Sequence, residues 1–142
     1  MKLPNTTSDG IDLSKWQRIQ ELALQYANNV MQGRYVAAEK ARIATLRSIS
    51  RLARQLGPRP SLLATRSDLV LSRKVQERLL LEAFRLAKRR NDPLNLTLIA
   101  SSLATHYFEQ HQDLKRTNKW LDMLENALEV HYDKGEAGVL RE

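Results

Sequence analysis

The sequence contains no cysteine, which excludes disulfides, thiolate zinc sites, iron–sulfur clusters and cysteine nucleophiles. Five glycines and four prolines in 142 residues supply too few tight corners for an all-β design. No apolar run approaches the ~18 residues that a membrane-spanning helix needs. The opening Met1-Lys2-Leu3-Pro4-Asn5-Thr6-Thr7 has no apolar stretch behind its lysine, so no signal peptide and a cytoplasmic location are expected. Chemistry is equally thin. There is no Gly-x-Ser-x-Gly elbow and no phosphate-cradling glycine loop, and the carboxylates form no paired site. His106 and His111 are five residues apart, which is the wrong spacing for a zinc pair on one helical face, and His131 stands alone. The expectation is a protein with no enzymatic activity, no metal and no cofactor.

What is present points to helices. The chain is 42% hydrophobic and 27% charged, a balance that supports a folded core. Its 16.3 kDa corresponds to a single domain with a compact surface of roughly 7,500 Å². Residues 1–12 read as a flexible arm, 13–132 as one helical domain, and 133–142 as a frayed tail. Trp16, Ile19, Ala23, Tyr26, Ala27 and Val30 recur at helical spacing behind Asp12 or Ser14 as caps, and Gly33 breaks the pattern. A second helix over about 35–56 stops at Gly57-Pro58-Arg59-Pro60, where neither proline can continue it. Ser61 is placed to cap a short third helix. The fourth, about 73–90, is apolar over a wide arc and is expected between two neighbours. Asp92-Pro93 opens the fifth, and Asp113 the sixth. There Leu114, Thr117, Leu121, Leu124 and Leu128 read as one apolar seam.

The chain also repeats itself. Arg51-Leu52-Ala53-Arg54 recurs as Arg85-Leu86-Ala87-Lys88, 34 residues later, and Leu62 and Leu69 recur as Leu96 and Leu103. Leu22-Ala23 with Tyr26 is echoed by Leu103-Ala104 with Tyr107, a small residue that admits a partner helix and a large one a turn later that fills the gap. This helix–turn–helix period resembles the tetratricopeptide family of helical repeats. The resemblance implies an all-α fold of about six antiparallel helices, arranged as three hairpins over 14–56, 61–90 and 93–130. It also implies a right-handed array that binds protein partners on a concave face or an end hairpin. The second helix is longer than the family's repeat and the third is shorter.

Charge is unevenly spread along the chain. Residues 1–33 are neutral, residues 34–90 carry fifteen basic side chains against four acidic ones for a net +11, and residues 91–142 carry −4. Helical spacing aligns Lys40, Arg47, Arg51 and Arg54 on one stripe, and Lys74, Arg78, Arg85 and Arg89 on another, with Arg90 behind. These nine residues are the candidate binding set. Arginine's planar fork suits carboxylate or phosphate. The expected partner is a protein with an acidic segment, with homodimerisation through the basic middle and acidic end as a further expectation. The alternative is nucleic acid. The run from Ala41-Arg42-Ile43-Ala44 through Leu56-Gly57-Pro58 is similar to an arginine-rich helical segment of phage terminase small subunits, which grip DNA. No aromatic residue interleaves the stripes, so stacking on single strands is not indicated.

Overall fold

A computed structural model describes the backbone of residues 5–140, and the side chains of 5–110 and 112–130. Among these residues the fold is all-α, with six helices in chain order. They are α1 (Leu13–Met31), α2 (Tyr35–Leu56), α3 (Pro60–Leu69), α4 (Arg73–Arg89), α5 (Pro93–His111) and α6 (Leu114–Leu140). No helix among the described residues is long and apolar enough to cross a membrane.

Local signals set most of the boundaries. The Asp12 carboxylate accepts from Ser14 N and Lys15 N to open α1. Gly33 and Gly57 take φ of +73° and +78°, a region that costs glycine little, and end α1 and α2. Asp92 caps α5 through Asn95 N at 3.2 Å, with Pro93 in its first turn, and Asp113 caps α6 through Arg116 N at 3.0 Å.

The helices pair as hairpins. The closest partners are α1 with α2, α3 with α4, and α5 with α6, and α4 also lies along α5 while α2 only touches α3. The expected position of α4 between two neighbours is therefore observed. The two arms of the 34-residue echo are packed differently, because α2–α3 and α4–α5 correspond in sequence but only the latter forms a broad contact.

Two cores result. One joins Ile11, Ile19, Ile49, Leu52, Leu62 and Leu69, with Trp16 and Tyr26 against it. The other joins Ala83, Phe84, Ala87, Ile99, Ala100, Leu103, Ala104, Tyr107 and Trp120. In it the Phe84 and Trp120 rings meet edge to face at 4.8 Å between centroids. The alanine pairs 83/87 and 100/104 recur every fourth residue and keep that core shallow enough for close helix approach. Short α3 belongs to both cores, sending Leu62 and Leu69 into the first and setting Leu63 and Ala64 against the second.

Four sequence expectations need correction. Of the arm expected to be flexible over residues 1–12, residues 1–4 lie outside the described residues and the rest is docked, with Ile11 and Asp9 at 0% and 1% exposure. It is held because Asp9 and Ser8 find partners on distant helix ends, while Thr7 braces Asp9 from within the arm. Ser61 does not cap α3. The Asp9 carboxylate does so instead, accepting from Ser61 N at 2.8 Å, while the buried Ser61 hydroxyl has no partner among the described residues. The sixth helix does not stop near residue 132 but continues through Leu140, since Gly135 and Gly138 weaken a helix without removing its N–H donors. The remainder of the expected tail, 141–142, lies outside the described residues. Finally, the apolar seam of α6 is divided. Thr117 is buried and Leu124 partly so, whereas Leu114, Leu121 and Leu128 are 62%, 47% and 47% exposed.

Candidate partner-binding surface

The outward face of α2 is basic because its apolar residues are used up on the other side. Ala38, Ala41, Thr45, Ile49 and Leu52 are buried, so Lys40, Arg47, Arg51 and Arg54 point away from the core. Arg47, Arg51 and Arg54 line one cavity of about 440 Å³, together with Ile43, Leu46 and Ser50. Arg66 of α3 reaches the same face, donating to Ser50 Oγ at 2.7 Å.

Arg51 also belongs to a second cavity, of about 280 Å³, between α1 and α2. Its lining adds Lys15, Arg18, Ser14, Ser48 and Gln55 over a floor of Ile19 and Leu52. Lys15 and Arg18 escaped the sequence reading because they sit in the electrically neutral first 33 residues. Only the antiparallel pairing of α1 with α2 sets the start of one helix beside the end of the other. Through Arg51 the two cavities form one basic surface on the α1–α2 hairpin.

The α4 set is distributed differently. Lys74, Arg78, Arg85, Arg89 and Arg90 are all exposed, but exposed Glu82 interrupts the stripe. Lys74 lines a separate cavity of about 700 Å³ whose walls mix signs: Arg73, Arg116, Glu77 and Asp113. α3 packs against both α2 and α4, so the two stripes sit on helices that do not pair with each other. Lys40 shares the α2 stripe but does not line the arginine cavity.

None of the nine candidates has an ion-pair partner among the described residues. Arg42 shows what a paired arginine of the same helix looks like. It grips Glu39 at 2.7 Å and donates to the Leu69 carbonyl at the end of α3. The hydrogen bond from Arg42 holds the Glu39 carboxyl below its ordinary range, against a small opposing effect of burial. Arg47 and Arg51 lie one turn apart with like charge, an arrangement that costs an isolated helix a few tenths of a kcal/mol. An anionic partner would offset that repulsion.

His106 is buried between α4 side chains, with Nδ1 2.8 Å from Gln76 Oε1 and Nε2 3.8 Å from Glu77 Oε2. The side chains of His111 and His131 lie outside the described residues. No cluster of three potential ligands among the described residues is arranged to hold a metal ion. Trp16 and Trp120 pack against the two cores. No protein-family model, curated protein or solved structure matches the chain.

Proposed function

We propose that this chain is a non-enzymatic interaction module, a tetratricopeptide-like array of three hairpins acting in the cytoplasm as an adaptor or regulator. Its α1–α2 end hairpin captures an acidic, amphipathic segment of a protein partner. One observation carries this reading: Ile43 and Leu46 line the same cavity as Arg47, Arg51 and Arg54. A helix or strand that alternates carboxylates with apolar side chains satisfies both halves of such a lining, whereas a phosphate backbone leaves the apolar half unused. Exposed Val36, at 75%, extends the apolar component toward the start of α2.

The second reading is nucleic-acid binding in the manner of terminase small subunits. It is favoured by the six basic residues that the two adjoining cavities and Arg66 bring to one surface. Fluorescence anisotropy separates the two. The probes are a labelled helical peptide of alternating Glu and Leu faces, duplex DNA and RNA, each titrated at two salt concentrations. Peptide binding that is lost in the Arg47→Ala/Arg51→Ala/Arg54→Ala variant, and is not competed by DNA or RNA, supports the module. Tight nucleic-acid binding near physiological salt, with a log–log salt slope made shallower by the triple change, replaces it with the second reading.

A further inference from the structure

The exposed half of α6 is built to meet another helix. Leu114, Leu121 and Leu128 are spaced by seven residues, two helical turns, and so form one stripe. Each is roughly half exposed or more, while Thr117, Trp120 and Ala127 on the neighbouring face are buried against the rest of the fold. Three leucines left in water on one line of one helix are an apolar strip with no occupant among the described residues.

The charges beside the strip identify what fits it. Over Leu114–Val130 the basic side chains are Lys115, Arg116 and Lys119, all in the first half, and the acidic ones are Asp122, Glu125 and Glu129, all in the second. Lys115 and Arg116 in the first turn run against the helix dipole, which favours anions near the N-terminus. Arg116 is engaged within the fold, 3.5 Å from Asp113 and over the Tyr107 ring, and Lys119 lies over Trp120. Lys115, Asp122, Glu125 and Glu129 have no ion-pair partner among the described residues.

We propose that two copies of this chain associate by antiparallel pairing of their α6 helices about Leu121. A two-fold axis there sets Leu121 against its own copy and Leu114 against Leu128 of the other chain. The same register brings Asn118 within one residue of a position opposite Glu125, and Lys115 within two residues of one opposite Glu129, offsets of about 1.5 and 3 Å that long side chains span, each pair occurring twice. A parallel pairing would instead set this charged flank against the partner's Thr117 and Trp120 flank, which is buried in its own fold, and would form neither pair. The single mismatch is Asp122, which faces its own copy at the edge of the strip. With only three leucines per copy the interface is small, so association is concentration-dependent. It uses none of the α2 arginines and stands independently of the partner proposed for them.

Sedimentation equilibrium of the full chain over a concentration series tests this, with circular dichroism to establish that each variant is folded. The expected mass rises from 16.3 kDa toward twice that value with concentration. Leu121→Glu is expected to remain monomeric. Lys115→Glu and Glu129→Lys each weaken the dimer several-fold, the two combined in one chain restore it, and Asp122→Asn tightens it. A natural chain that stays monomeric throughout overturns the proposal. So does a dimer indifferent to Leu121→Glu, or a combined charge reversal that fails to restore association.

Discussion

The carboxylate of Asp9 accepts a 2.8 Å hydrogen bond from the backbone N–H of Ser61, 52 residues away. The same carboxylate takes the Thr7 hydroxyl at 2.6 Å, and Ser8 beside it donates to both oxygens of Asp92. The arm therefore ties together the starts of α1, α3 and α5, because Asp12 of the same arm caps α1 and Asp92 caps α5. Helix N-termini present unsatisfied N–H groups, and an arm rich in Thr, Ser and Asp supplies acceptors to them.

The Asp9 contact is expected to matter to stability more than its place in an N-terminal arm suggests. Asp9→Ala removes the α3 cap and leaves a buried donor unpaired, at a cost of about 1–3 kcal/mol. Chemical denaturation measures it, and hydrogen exchange of the α3 amides should accelerate first. Asp9→Asn, which keeps an acceptor oxygen, is expected to lose less.

Ala104 is 5% exposed within the core shared by α4, α5 and α6. Ala104→Leu inserts three carbons where helices approach closely and should destabilise by about 1–3 kcal/mol through overpacking. A melting temperature equal to that of the natural chain would show that the α5 contact is looser than described.

Gln112 ends α5 with φ 47° and ψ 35°, a left-handed conformation that ordinary side chains adopt at a cost. It is exposed and its side chain is not part of either core. Gln112→Gly is expected to stabilise the fold by about 0.5–1 kcal/mol, since glycine is the favoured residue at such a helix end. Thermal unfolding at fixed pH reads the gain.

The arginines of the candidate surface should be dispensable for folding. Because none of Arg47, Arg51 and Arg54 has an ion-pair partner among the described residues, replacing all three by Ala should change stability by no more than about 0.5 kcal/mol per site. An unfolded or strongly destabilised triple variant would mean that the stripe is structural.

Burial, with Glu77 nearby, pushes the Tyr107 phenol above its ordinary value of 10.0. The folded state thus holds this proton more tightly than the unfolded chain does. The corresponding stability is fully present below pH 10.0 and is lost as pH rises through the higher folded value. Melting temperatures between pH 9 and 11 should fall less steeply for Tyr107→Phe than for the natural chain.

Much of the fold is legible along the chain because its signals act over a few residues. Gly33, Gly57, Asp92-Pro93 and Asp113 mark helix ends wherever the helices finally pack, and the spacing of Ile49, Leu52, Leu79 and Ala83 names buried faces. Contacts between distant residues leave no such trace. Nothing near Asp9 announces Ser61, and nothing near Lys15 announces Arg51, since each pairing exists only once hairpins have formed.

The α6 stripe shows the division most clearly. Periodicity alone placed Leu114, Thr117, Leu121, Leu124 and Leu128 in one apolar arc. An arc wider than a single neighbour can cover has two edges, and their residues do not say which faces inward. The packing of α6 on α5 decided it, burying Thr117 and half-burying Leu124 while leaving Leu114, Leu121 and Leu128 in water. The composition of the helix was set by sequence. Which of its apolar residues became core and which became surface was set by the rotation at which it docked, a property of two helices rather than one.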